Sequence, residues 1–125
     1  MIKLALPHWQ GRVSPVFDVA RQVILAEVSA GAFLRRGNLV LGAEDPHCRS
    51  VLLASAGVEV VICGAISWPF EIALSAAGIT VVSQICGQVD NVLRAYATGR
   101  LDQSHYFMPG CRRLRNGGQR RGGEG

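Results

Sequence analysis

The sequence predicts an α/β fold in which a mixed sheet is covered by helices. Two observations carry this. The chain opens with strands, two of them joined by a tight turn at Gly31. After residue 45 it alternates helix and strand, and each helix is closed by a glycine. A hairpin start followed by βαβ units builds one mixed sheet with helices packed on it. The crossovers should be right-handed and should make the strands at 58–63 and 79–82 parallel.

Each element has a local reason. Residues 2–7, IKLALP, read as a buried strand ended by Pro7. A loop, HWQGRVSPVFDVA, follows, broken at Gly11 and at Ser14-Pro15. Residues 22–29 and 33–41 read as a hairpin around Gly31. Asp45-Pro46 is a helix start, an N-cap acid followed by proline in the first turn. That helix covers 46–56 and stops at Gly57. VEVVIC, 58–63, is a β-branched strand. Ser67 can cap a helix from Trp68 to Ala77, stopped by Gly78. ITVV, 79–82, is the next strand. Residues 88–98 place Val89, Val92, Leu93 and Tyr96 on one helical face before Gly99.

The chain has 125 residues, 49% of them hydrophobic, which suits one domain with a real core. No apolar run approaches the roughly 18 residues of a membrane span. The N-terminus shows no signal-peptide pattern, so a cytoplasmic location is expected. The net charge of +4 is misleading. Residues 1–111 balance Lys3, Arg12, Arg21, Arg35, Arg36, Arg49, Arg94 and Arg100 against Asp18, Glu27, Glu44, Asp45, Glu59, Glu71, Asp90 and Asp102. The excess lies in the last fourteen residues, where five arginines face Glu124. Past Asp102 the periodicity ends. The expected organisation is a domain at 1–102 and a flexible Arg/Gly-rich tail at 103–125. Cys48, Cys63, Cys86 and Cys111 form no CxxC pair, which argues against a zinc ribbon or thioredoxin-like motif. Structural disulfides are not expected either.

Four stretches occur in a familiar order: "GRVSPVFDVARQVILAEV", "GVEVVICGAI", "ALSAAGITVV" and "VDNVLRAYATGRL". With the ending "FMPGCRRLRNGGQRRGG", they resemble the dinitrogenase iron–molybdenum cofactor biosynthesis family, which contains NifX, NafY and the C-terminal domain of NifB. The resemblance covers residues 1–102 and the tail. It implies a ribonuclease H-like three-layer fold with a five-stranded mixed sheet. It also implies non-enzymatic binding, carriage or delivery of an iron–sulfur or molybdenum-containing cluster, with a cluster donor or acceptor protein as partner. The sequence departs from the family pattern at Val16, where many members have His, at Ala65, where Gly is usual, and at the bulky Trp68.

Ligands of open α/β sheets bind beyond the carboxyl ends of parallel strands. That rule brings His8, Cys63 and Cys86 to one rim. Imidazole and thiolate suit soft metal centres. Gly64 and Gly87, beside the two cysteines, would let a bulky cluster approach the backbone. Ser67 opens a helix whose first amides could hold an anion. Arg12 and Ser14 of the first loop could contact an anionic ligand. Three of these have a plainer reading: Cys63 as core, His8 and Arg12 as solvated loop residues. His47 and Cys48 form a second candidate, in a first turn whose dipole should lower a thiol's pKa. His105, Met108 and Cys111 form a third, beyond the fold.

A nuclease would need clustered carboxylates, and the first strand has none. The arginine tail could attract nucleic acid or an acidic partner weakly, although it lacks stacking aromatics. A ligand-free scaffold whose tail binds such a partner is the alternative function. No acid/base pair, Ser–His–Asp order or phosphate loop suggests an enzyme.

Overall fold

The computed structural model describes residues 1–101. Its strands are β1 (Ile2–Trp9), β2 (Arg12–Val13), β3 (Gln22–Ser29), β4 (Ala32–Val40), β5 (Val60–Ile62) and β6 (Thr80–Val82). Its helices are α1 (Pro46–Ser55), α2 (Trp68–Ala76) and α3 (Val89–Ala97), with a 3-10 turn at Phe17–Val19. The main sheet runs β4-β3-β1-β5-β6, and β2 pairs on β1, making six strands. β3 pairs antiparallel with β1 and β4, whereas β5 runs parallel to β1 and β6. Leaving out β2, the spatial order is three-two-one-four-five, the ribonuclease H-like arrangement that the resemblance implied.

Strand alternation sorts the core into two faces. Leu4 and Leu6 of β1, Ile24, Ala26 and Val28 of β3, and Val60 and Ile62 of β5 pack with Val89, Val92, Leu93 and Ala95 of α3. Ala5, Val23, Val61 and Cys63 point the other way, toward Leu53 of α1 and Leu74 of α2. The result is three layers: two helices, the sheet, and one helix. Gly57, Gly78 and Gly99 follow the three helices, where the stop signals put them.

Two differences from the sequence reading bear on the site. First, part of the expected first loop is a hairpin. Gln10 and Gly11 both have positive φ, 53° and 77°, the twist a two-residue turn between β1 and β2 requires. Second, Pro7 does not end β1. Its carbonyl accepts from the Ser14 N–H at 2.9 Å, and a strand residue's amide points the same way as its carbonyl. The missing donor therefore falls on the β5 side, where pairing with β1 has already stopped at Ala5.

Candidate functional site

β1, β5 and β6 are parallel, so their carboxyl ends share one rim, as the sequence reading expected. The chain's own first loop lies across that rim. Val13 N–H donates to the Gly87 carbonyl at 2.9 Å, Ala65 N–H to Pro15 at 2.8 Å, and Phe17 N–H to Ala65 at 2.8 Å. A Cβ on Gly64 would lie 2.5 Å from the Pro15 oxygen and 2.7 Å from the Ser14 oxygen. The close approach that Gly64 allows is therefore taken by protein backbone. Gly87 has a φ of 128°, and its carbonyl is held by Val13. The start of α2 also has an occupant: Asp18 Oδ1 accepts from the Ser67 N–H at 3.0 Å. A carboxylate already placed there opposes a second anion.

The three rim candidates do not point to one place. Cys63 is fully buried among Ala5, Phe17, Val61 and Leu74. Burial, with smaller contributions from Glu71 and Asp18, pushes its thiol up to about 12. Such a group is a protonated core residue at neutral pH. His8 lies by alternation on the α3 face with Leu4 and Leu6, and its Nε2 is 2.9 Å from Asn38 Oδ1. Cys86 is half-buried beside Gly87. Among the described residues no three His, Cys, Asp or Glu side chains gather where they could hold a metal ion.

What the rim offers is a cleft of about 450 Å³, lined by His8, Trp9, Ser14, Pro15, Val16, Val19, Ala20, Arg21 and Gln22. Trp9 is 65% exposed and Val19 64%, large apolar side chains left facing solvent beside the opening. Ser14 is buried in the wall, its hydroxyl 3.4 Å from the Val16 carbonyl. Arg12 is exposed on β2, opposite Trp9. Arg21 donates to the Gly42 carbonyl at 3.0 Å. Sequence reading took Val16 only as a departure from a pattern, and it passed over Trp9, Val19 and Arg21. The signal for Trp9 and Val19 was the number of large apolar residues in a segment otherwise read as loop; Arg21, just past that segment, carried no such signal.

His47 and Cys48 are exposed in the first turn of α1. The expected lowering of the Cys48 thiol is reversed. Asp45 caps the helix by accepting from the Cys48 N–H at 2.8 Å, and hydrogen bonding and charge from that carboxylate push the thiol up. Asp45→Asn keeps the cap and removes the charge, so Cys48 should alkylate faster at mildly alkaline pH; an unchanged rate would rule the carboxylate out as the cause. Cys111, His105 and Met108 lie outside the described residues. No described helix is long and apolar enough to cross a membrane.

Comparison with known proteins starts from the fold. PH0822 superposes with a TM-score of 0.72 at 18% identity, covering 79% of this chain and 93% of that one. The apo form of the orange protein from Desulfovibrio gigas gives 0.63 at 24% identity, covering 80% and 90%. A NifB-like protein from Thermotoga gives 0.60 at 25%, again covering 80% and 90%. No functionally curated protein matches the chain in sequence. The family described as dinitrogenase iron-molybdenum cofactor matches residues 1–99, nearly the whole described chain, and the protein therefore belongs to that family.

Proposed function

We propose that this protein binds a metal–sulfur cluster, iron–sulfur or molybdenum-containing, and passes it to an acceptor protein without catalysing a reaction itself. The cluster is its cargo, and the cytoplasm is where the exchange takes place. The observation that carries this reading is the rim cleft. It combines an apolar wall of Trp9, Pro15, Val16 and Val19 with Arg21 as a cation, while the His8 ring, held by Asn38, stands at the same rim on the α3 side. Few protein donors and a largely apolar seat suit cargo that must leave again. Arg12 adds positive charge on β2, and the Ser14 hydroxyl lines the wall. Gly64, Ser67 and Gly87 act as the frame that holds the loop in place. Cys63 drops out of the ligand set because its thiol faces the helix pair. Cys86 stands at the edge of the rim as a reserve donor.

The test is titration with tetrathiomolybdate, and reconstitution with iron and sulfide, without oxygen. The expected result is visible absorbance that survives desalting, with quenching of tryptophan emission. Trp9→Ala should weaken binding about tenfold, roughly 1.4 kcal/mol. A protein that stays colourless with both cluster types sinks the proposal.

A further inference from the structure

Arg49 of α1 carries a full charge into the core with no solvent exposure. Its guanidinium is met on every side. Nη1 donates to the Phe17 carbonyl at 2.7 Å and the Asp18 carbonyl at 3.4 Å. Nη2 donates to the Gly42 carbonyl at 2.7 Å, and Nε to Glu44 Oε1 at 3.1 Å. The group sits 5.2 Å from the Phe17 ring centre and 5.4 Å from that of Phe70. Burial pushes the Glu44 carboxyl up, but hydrogen bonds from Gly42 and Arg49 outweigh it and leave the group below its ordinary value.

Stability alone does not explain an arginine here, because a well-packed apolar side chain can replace a buried ion pair without loss. The acceptors explain it better. Phe17 and Asp18 form the 3-10 turn that leads into Val19, Ala20 and Arg21 of the cleft wall. Gly42 belongs to the loop before α1, and its carbonyl also receives Arg21 at 3.0 Å. One guanidinium thus ties two separate segments together directly behind the wall. Lysine has the charge but not the planar fork that reaches several carbonyls at once.

We infer that Arg49 is the positioning residue of the cleft: its buried guanidinium fixes the turn at Phe17–Val19 and the loop at Gly42, so the wall stands in place before cargo arrives. This deepens the reading of the cleft as a cluster seat and rests on it for its purpose. The clamp itself is measurable without any ligand.

The test is amide hydrogen exchange on the full chain carrying Arg49→Lys or Arg49→Met. The reporters are the Phe17 and Ala20 amides, which donate to Ala65 and Phe17 at 2.8 and 3.1 Å. They should exchange at least about tenfold faster, while β3 keeps its protection. Leu93→Ala, in the core on the α3 face, is the control for a general loss of stability and should leave residues 16–21 no more exposed than the rest. Tetrathiomolybdate affinity should fall about tenfold in the Arg49 variants and stay unchanged in Leu93→Ala. Unchanged exchange at Phe17 and Ala20, or a rise spread evenly over the chain, overturns the inference. If neither Arg49 variant folds, Phe70→Leu decides: a smaller rise confined to residues 16–21 supports the clamp, and none overturns it. If the unaltered protein does not bind tetrathiomolybdate, the cargo reading loses its molybdenum arm while the exchange result still decides the clamp.

Discussion

Gly64→Ala is expected to lower the melting midpoint by roughly 10–20 °C, corresponding to about 2.5 kcal/mol of overpacking in a domain of this size. The added methyl would meet the Pro15 and Ser14 carbonyl oxygens at 2.5 and 2.7 Å. Neither can retreat cheaply. Pro15 is held by the Ala65 N–H, and Ser14 is tied to Pro7 through its own amide. The backbone of Gly64 is not left-handed, so alanine suits its conformation and the loss reports the contact alone. Gly37→Ala serves as the comparison, since a Cβ there meets nothing within 4 Å and should leave the midpoint near that of the unaltered protein. Thermal unfolding followed by circular dichroism reads both. A Gly64→Ala protein as stable as the original would mean that the first loop does not lie on the β5 exit.

That loop marks the boundary of what the sequence revealed. The helices were legible because most of their ends are chemical: the Asp45-Pro46 cap and the glycines at 57, 78 and 99 act locally, whereas Ser67 stands at the N-cap of α2 without a side-chain cap bond, its N–H held by Asp18. The strands were legible through β-branched runs, and their parallel exits followed from the handedness of crossovers. The site was harder because it depends on where side chains point across long separations. Cys63 lies at a strand end by sequence, yet strand alternation from Val61 turns it into the helix-pair core. Arg49 enters the sequence reading only as one charge in a balanced set, whereas the carbonyls of Phe17, Asp18 and Gly42 together with the Glu44 carboxylate make its burial tolerable. Gly64 was read as an opening for a ligand, whereas the loop from a distant part of the chain fills that opening. The Gln10-Gly11 turn was hidden because glycine after a polar residue also marks an ordinary loop.

Stability of the unaltered protein should fall with rising pH above about 9, at up to ~1.4 kcal/mol per pH unit from Cys63 alone. The sign follows from burial. The thiol ionises near 9.0 when exposed and only at about 12 inside the fold. Between those values the unfolded chain has released the proton and the folded one has kept it, so alkali favours unfolding. The contribution is fully present below about pH 9 and is lost as pH approaches 12, roughly 4 kcal/mol in all. Cys63→Val fills similar space without a titrating proton, and at neutral pH should differ from the original by less than about 1.5 kcal/mol. Urea unfolding at pH 7 and at about pH 10.5 should then show the original losing ~2 kcal/mol relative to the valine variant. Tyr96, also pushed up, chiefly by burial, adds the same slope to both proteins and cancels in the difference. Equal losses in the two would mean that the thiol reaches solvent. The same variant separates core from ligand at the rim. If Cys63 only packs against Phe17 and Leu74, Cys63→Val takes up tetrathiomolybdate as the original does. If uptake disappears while the fold persists, the thiol belongs to the cargo site, and the loop over the β5 exit must lift to expose it.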